Sequence, residues 1–249
     1  VVDTGTYFTL FGQGIILALI QLGGLGVMTI SVTIFLVIGK SVSFRQRMAI
    51  QDVFAHTPRE DIYQLLKSII FFTGVAELTG AVLLFVHWSK EYPWEKALYM
   101  GVFHSISAFC NAGFSLLGNS FMDYRGELLL NLTICVLIIF GGIGFPVIYD
   151  TYKTIFRCQG KRSRLSVQTK TVLITTGILI VSGMVIFWGV EQNGSLRAGN
   201  LSESLLVSFF QSVTCRTAGF NTVDIAALSN ATLTFMTFLM FFGASPGCL

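Results

Sequence analysis

Two short strings hold the residues whose types and spacing could do chemistry. Cys110-Asn111-Ala112-Gly113-Phe114 and Thr217-Ala218-Gly219-Phe220-Asn221 each set a glycine between a small residue and a phenylalanine, after an apolar segment. A cation stripped of water needs replacement oxygens, and rings of backbone carbonyls supply them without fixed charge. Turning successive carbonyls toward one axis requires dihedrals that glycine adopts at no steric cost. The candidate ion-binding backbone is therefore Asn111, Ala112, Gly113 and Phe114 with Thr217, Ala218, Gly219 and Phe220. The carbonyls of Gly113 and Gly219 would be the metal ligands.

The elements that must position these strings follow from composition. The chain has 249 residues, 53% hydrophobic and 12% charged, with a mean hydropathy of +0.72. Soluble domains carry about 25% charged residues, so lipid must cover much of this surface. Five scattered cysteines, without a CxxC, argue against a disulfide framework or a metal centre. Crossing the hydrocarbon core takes about 20 apolar helical residues. Stretches 7–39, 62–87, 127–150, 169–190 and 231–249 qualify or nearly do, the last incomplete.

Stretches 97–118 and 203–221 are also apolar, and charge parity forbids them as spans. Lys40, Arg45, Arg47 and Arg59 follow the first helix, and a second basic block runs from Lys153 to Lys170. Positive loops stay cytoplasmic. A full crossing at 97–118 would put the second block outside, and the same logic holds for 203–221. Both segments therefore enter from outside and return, as half-length helices over about 97–109 and 203–213 followed by extended backbone. Non-helical backbone at that depth is tolerated only when buried in protein or lining a wet cavity. Half-helices pointing their C-termini inward also favour a cation there.

The chain repeats itself. Phe103-His104-Ser105-Ile106-Ser107 matches Phe210-Gln211-Ser212-Val213-Thr214, and Ala112-Gly113-Phe114 matches Ala218-Gly219-Phe220 with one residue lost at the turn. Ile20-Gln21-Leu22-Gly23-Gly24-Leu25-Gly26 lines up with Ile138-Ile139-Phe140-Gly141-Gly142-Ile143-Gly144, and more loosely with Phe242-Gly243-Ala244-Ser245-Pro246-Gly247. The expected architecture is all-α and polytopic, built of helix, re-entrant pore loop and glycine-interrupted helix around a central pore. Residues 1–40 are read as the second helix of a first unit whose loop is missing. Residues 62–150 form a complete second unit with pore loop 97–119. Residues 167–249 form a third, with pore loop 203–224 and a truncated final helix, and a fourth unit is absent. Four quasi-equivalent loops would close the ring, and this chain holds two.

Pro246 with the glycines around it should break a membrane helix, which marks Gly243, Ala244, Ser245, Pro246 and Gly247 as a candidate gating loop under the filter. The paired glycines of the earlier helices read first as packing positions. Glu77, mid-membrane, is either a carboxylate that attracts cations or a structural partner for loop N–H groups or for Arg216. Arg216, beside the filter, would brace its loop from behind. His56, His87 and His104 read as interface or helix-end residues, and Trp88, Tyr92, Trp94 and Tyr99 as an outer aromatic belt.

In these strings, together with Ser107-Ala108-Phe109 and Thr222-Val223-Asp224, the chain resembles the Trk/Ktr/HKT potassium transporter superfamily, most closely its bacterial Ktr/Trk-type membrane subunits. The resemblance implies four units around one pore, a filter glycine in each loop and a gating loop in the third unit. It further implies a multi-pass protein of the bacterial inner membrane and of the lipid bilayer. A homodimer on a cytosolic ring of nucleotide-binding regulatory subunits is implied as well. The cargo would be K+, with Na+ as the alternative transported or coupling ion, no cofactor in this chain and no nucleic acid partner. A sodium-selective relative and a secondary carrier with re-entrant hairpins stay open. An intramembrane enzyme would need a nucleophile–base pair or a metal cluster, and the sequence offers neither.

Overall fold

The computed structural model describes residues 3–24, 61–156, 165–192, 194–197 and 199–243. Their secondary structure is helical throughout, without a strand. The helices are α1 (Thr4–Tyr7), α2 (Leu10–Gly24), α3 (Asp61–Trp88), α4 (Trp94–Phe109), α5 (Leu128–Ile143), α6 (Phe145–Phe156), α7 (Val167–Glu191), α8 (Leu201–Thr217) and α9 (Asn230–Phe241).

Burial separates two kinds of helix. Along α3, Phe71, Val75, Leu78 and Val82 stand exposed at helical spacing, as do Ile174, Ile178, Val181 and Val185 along α7. An apolar stripe facing outward is the reverse of a water-soluble helix, and it suits a lipid-facing wall. Residues Lys67–Trp88 and Val167–Glu191 are long and apolar enough to cross a membrane. In α4 and α8 the pattern inverts. Phe103, His104, Ser105 and Ser107 of α4 and Ser208, Phe210, Gln211 and Ser212 of α8 are fully or almost fully buried. At 16 and 17 residues these helices reach roughly 24–26 Å at 1.5 Å per residue, short of a core about 30 Å thick. α4 packs between α3 and α5, and α8 between α7, α5 and α9. Gly101 brings α4 onto α3, where a Cβ would press on the Ala81 carbonyl.

Local capping explains several boundaries. Ser166 and Ser229 cap α7 and α9 by accepting from the N–H groups of Thr169 and Thr232 (both 3.2 Å). Asp150 on α6 accepts from the Ser166 N–H (3.0 Å) and the Thr169 hydroxyl (2.6 Å), fastening α6 to the start of α7. On the opposite face Glu191, 1% exposed, gathers the Thr232 hydroxyl (2.6 Å), the Ser229 N–H (3.0 Å) and the Ser195 N–H (3.3 Å). Tyr124 donates to Glu91 (2.7 Å); burial, then that carboxylate, holds its hydroxyl above the ordinary phenol range.

One expectation, the glycine interruption of the second helix of the unit, takes a definite form, and two are corrected. The stretch 127–150 is no single helix: α5 ends at Ile143, and α6 leaves at 96° to it. Gly144 makes this elbow with φ +92°, and Pro146 lacks the N–H that a continuing helix would need. The third-unit half-helix runs through Thr217 instead of stopping near 213, because Thr214 and Cys215 are buried on its packed side. Trp88 belongs to no outer belt; it is wholly buried, its ring 4.9 Å from that of His104.

Candidate functional site

Both half-helices end at the glycine strings, and each ends in its own way. At the end of α4 the Asn111 N–H donates to the Ala108 carbonyl (3.1 Å) and the Ala112 N–H to the Ser107 carbonyl (2.9 Å). This is a Schellman ending, whose first residue beyond the cap must be left-handed. Asn111 fills that place at φ +52°, and Gly113 follows at +72°. At the end of α8 the N–H groups of Ala218 and Gly219 both reach the Thr214 carbonyl (3.0 and 3.3 Å). Gly219 alone is left-handed there, at φ +87°. The residue lost between the repeats is thus a physical one. Cys110 aligns with Thr217 and Ala112 with Ala218, so Asn111 has no counterpart.

Side chains hold both loops in matching fashion. The Ser107 hydroxyl donates to the Phe114 carbonyl and the Thr214 hydroxyl to the Phe220 carbonyl, each at 2.8 Å. Ser105 donates to the Glu77 carbonyl (2.6 Å) and Ser212 to the Ile180 carbonyl (2.7 Å), tying each half-helix to its outer helix. Gly80 and Gly183 make room, since a Cβ on either would strike that serine. The Leu116 N–H donates to His104 Nε2 (3.2 Å), so the ring proton sits on Nδ1 and meets the Met100 carbonyl (2.8 Å). His104 is therefore a brace inside the first loop, not an interface residue. Its repeat partner Gln211 reaches Thr222 (3.5 Å).

The two loops lie against one another. The Ala218 carbonyl occupies the place a Cβ on Gly113 would take. Farther out, the Phe121 N–H donates to the Asn221 carbonyl (2.9 Å) and the Asn221 N–H to Ser120 Oγ (3.2 Å). Among the described residues no hydrogen-bond donor reaches the carbonyls of Ala112, Gly113, Ala218 or Gly219. Asn111, Ala112 and Thr217 through Phe220 line a partly open cavity of about 540 Å³.

The helix glycines have assigned neighbours. A Cβ on Gly141 would overlap the Phe109 carbonyl, at the end of its own unit's half-helix, and one on Gly243 would come within 3.5 Å of the equivalent Arg216 carbonyl. The next glycine faces the following unit: Gly24 abuts Cys110, and Gly142 lies 3.6 Å from Thr217 Oγ1 by the same measure. Glu77 accepts from the Gln21 amide (3.3 Å) and has Cys110 Sγ 4.0 Å away. Arg216 turns elsewhere: its guanidinium donates to the Gly243 carbonyl (3.3 Å). Ala244, Ser245, Pro246 and Gly247 lie outside the described residues, as does His56.

Ser105, Ser107, Ser212 and Thr214 join His104, read from the sequence as an interface or helix-end residue, as positioning residues that the glycine strings alone do not mark. Their signal was present: polar side chains stand in register at both copies of an otherwise apolar half-helix. A further stretch of repeat, Thr73-Gly74 and Gly80 against Thr176-Gly177 and Gly183, was equally readable.

Lipid-facing helices, two buried half-helices and their returning coils define a polytopic α-helical membrane protein with pore-loop helices. The chain belongs to the TrkH cation transport protein family, whose model matches residues 3–249. It is 39% identical over 246 residues to the Ktr system potassium uptake protein B of Bacillus subtilis, covering 98% of this chain and 54% of that protein. The protein of the same description from Vibrio alginolyticus is 38% identical, with 98% and 53% covered. The potassium/sodium uptake protein NtpJ of Enterococcus hirae is 34% identical, again with 98% and 53% covered. The chain therefore spans about half the length of the curated relatives it matches. The crystal structure of the potassium transporter TrkH from Vibrio parahaemolyticus shares the fold, with a TM-score of 0.63, 19% identity, and 95% of this chain and 45% of that one covered.

Proposed function

We propose that this chain forms half of a potassium uptake pathway, in which K+ sheds water onto the carbonyls around Gly113 and Gly219. The observation that carries the reading is the pair of left-handed glycines at matching repeat positions, in touching loops where, among the described residues, no donor reaches the carbonyls of Ala112, Gly113, Ala218 or Gly219. Backbone oxygens without fixed charge bind a monovalent cation loosely enough to release it. Residues 1–40, 62–150 and 167–249 act as the successive units, and Gly243–Gly247 as the gate beneath the filter. Glu77 and Arg216 support the filter from behind. The protein works in a bacterial inner membrane as a homodimer on a cytosolic ring of nucleotide-binding subunits.

Na+ is the second candidate, favoured by the likeness to a potassium/sodium uptake protein. One experiment separates them. The protein is expressed from its native gene in a cell lacking its own potassium uptake. Growth restored at limiting K+ is expected, with Na+ neither required nor accumulated. Growth that never recovers would overturn the reading, and uptake of Na+ alone would move it to the second cation.

A further inference from the structure

The first loop has one residue more than the second, and that residue is the one that bridges them. Asn111 stands between Cys110 and Ala112, whose counterparts Thr217 and Ala218 are adjacent. Its amide lies 2.9 Å from the Thr217 hydroxyl, across 106 residues of sequence. With the amide nitrogen toward that hydroxyl, the nitrogen also reaches the Ile138 carbonyl (3.3 Å) and the oxygen accepts from the Gly142 N–H (3.2 Å), so both ends are satisfied. The space is kept for it, because a Cβ on Gly141 would come within 2.7 Å of the end of the amide that faces away from Thr217.

We infer that Asn111 is a specificity-determining positioning residue: through Thr217 and the Gly142 backbone it fixes the spacing of neighbouring filter loops and so the discrimination between K+ and Na+. This rests on the loops being the filter. The physical reason is that a carbonyl ring selects by the distance and number of its oxygens. Ala112–Gly113 and Ala218–Gly219 touch through the Ala218 carbonyl, but among the described residues no backbone hydrogen bond joins these four residues. The hydroxyl ties of Ser107 and Thr214 work within one loop. At the depth of the filter, the side-chain bond from loop to loop is the Asn111–Thr217 bridge.

The test compares Asn111→Gly, Thr217→Val and the double variant with Thr217→Ser, in the protein expressed from its native gene. Glycine keeps the left-handed backbone that Asn111 adopts and removes only the amide. Valine keeps the shape of threonine without the hydroxyl, and serine keeps the hydroxyl. The readout is the ratio of K+ to Na+ uptake, corrected for folded protein by size-exclusion yield. Each of N111G and T217V is expected to lower the ratio by about fivefold, the worth of one net hydrogen bond. The double variant should fall no further, and T217S should stay near wild type. An unchanged ratio in T217V, or losses in the double variant that multiply, would overturn the inference. If N111G fails to fold, T217V against T217S decides alone. Should the wild type carry no K+, the filter reading fails first and is seen to fail separately.

Discussion

The two filter glycines offer a matched perturbation. Gly113 and Gly219 are both left-handed, at φ +72° and +87°, so alanine at either incurs about 1–2 kcal/mol of backbone strain. Their surroundings differ. A Cβ at Gly219 meets nothing within 4 Å, whereas at Gly113 it would coincide with the Ala218 carbonyl. That oxygen is backbone, so relief requires the two loops to part. Overpacking of this kind adds about 1–3 kcal/mol. The expected cost is thus about 1–2 kcal/mol for Gly219→Ala and about 2–5 for Gly113→Ala. For a chain of this size each kcal/mol is worth about 2–4 °C in the unfolding midpoint. Thermal unfolding of the purified protein in lipid nanodiscs should place Gly113→Ala some 2–12 °C below Gly219→Ala. Equal midpoints, or Gly219→Ala the less stable, would mean the loops do not touch at Gly113 as described.

Two other variants probe the frame. Glu191→Ala strips the acceptor from two backbone N–H groups and the Thr232 hydroxyl inside the protein, at about 1–3 kcal/mol for each donor orphaned. It should unfold well below Glu191→Gln, which keeps one acceptor oxygen, and a midpoint shared by the two would discount the cluster. Arg216→Gln releases the Gly243 carbonyl, so a cysteine placed at Ser245 should label severalfold faster from the cytoplasmic side. Unaltered labelling would free the Gly243–Gly247 segment from any dependence on Arg216.

Much of this was legible in the sequence because membranes simplify the problem. Charge parity needed only the basic blocks to turn 97–118 and 203–221 into half-crossings, and the burial of α4 and α8 agrees. The Phe-Gln-Ser-Val-Thr and Phe-His-Ser-Ile-Ser match put the two loops in register, and their hydroxyl bonds keep it. What escaped depends on single residues reading a local context. Hydropathy ran straight through Gly144, because Phe145, Val147 and Ile148 are as apolar as what precedes them; only the Gly-Phe-Pro string marked the elbow. Thr214 and Cys215 looked like loop residues, yet both are buried on the packed side of α8. Trp88 looked interfacial by composition, but its ring is held by His104 and Tyr124. Asn111 passed for one more filter residue, since a gap in a repeat does not say which residue was inserted or what its side chain can reach.

The alternating glycines carry a consequence for how the molecule is built. Gly24 receives Cys110, and Gly142 receives Thr217; in both cases the receiving surface precedes its occupant in the chain. During synthesis each of these two glycines therefore leaves the ribosome before its occupant, the reverse of the order within a unit, where Phe109 precedes Gly141 and Arg216 precedes Gly243.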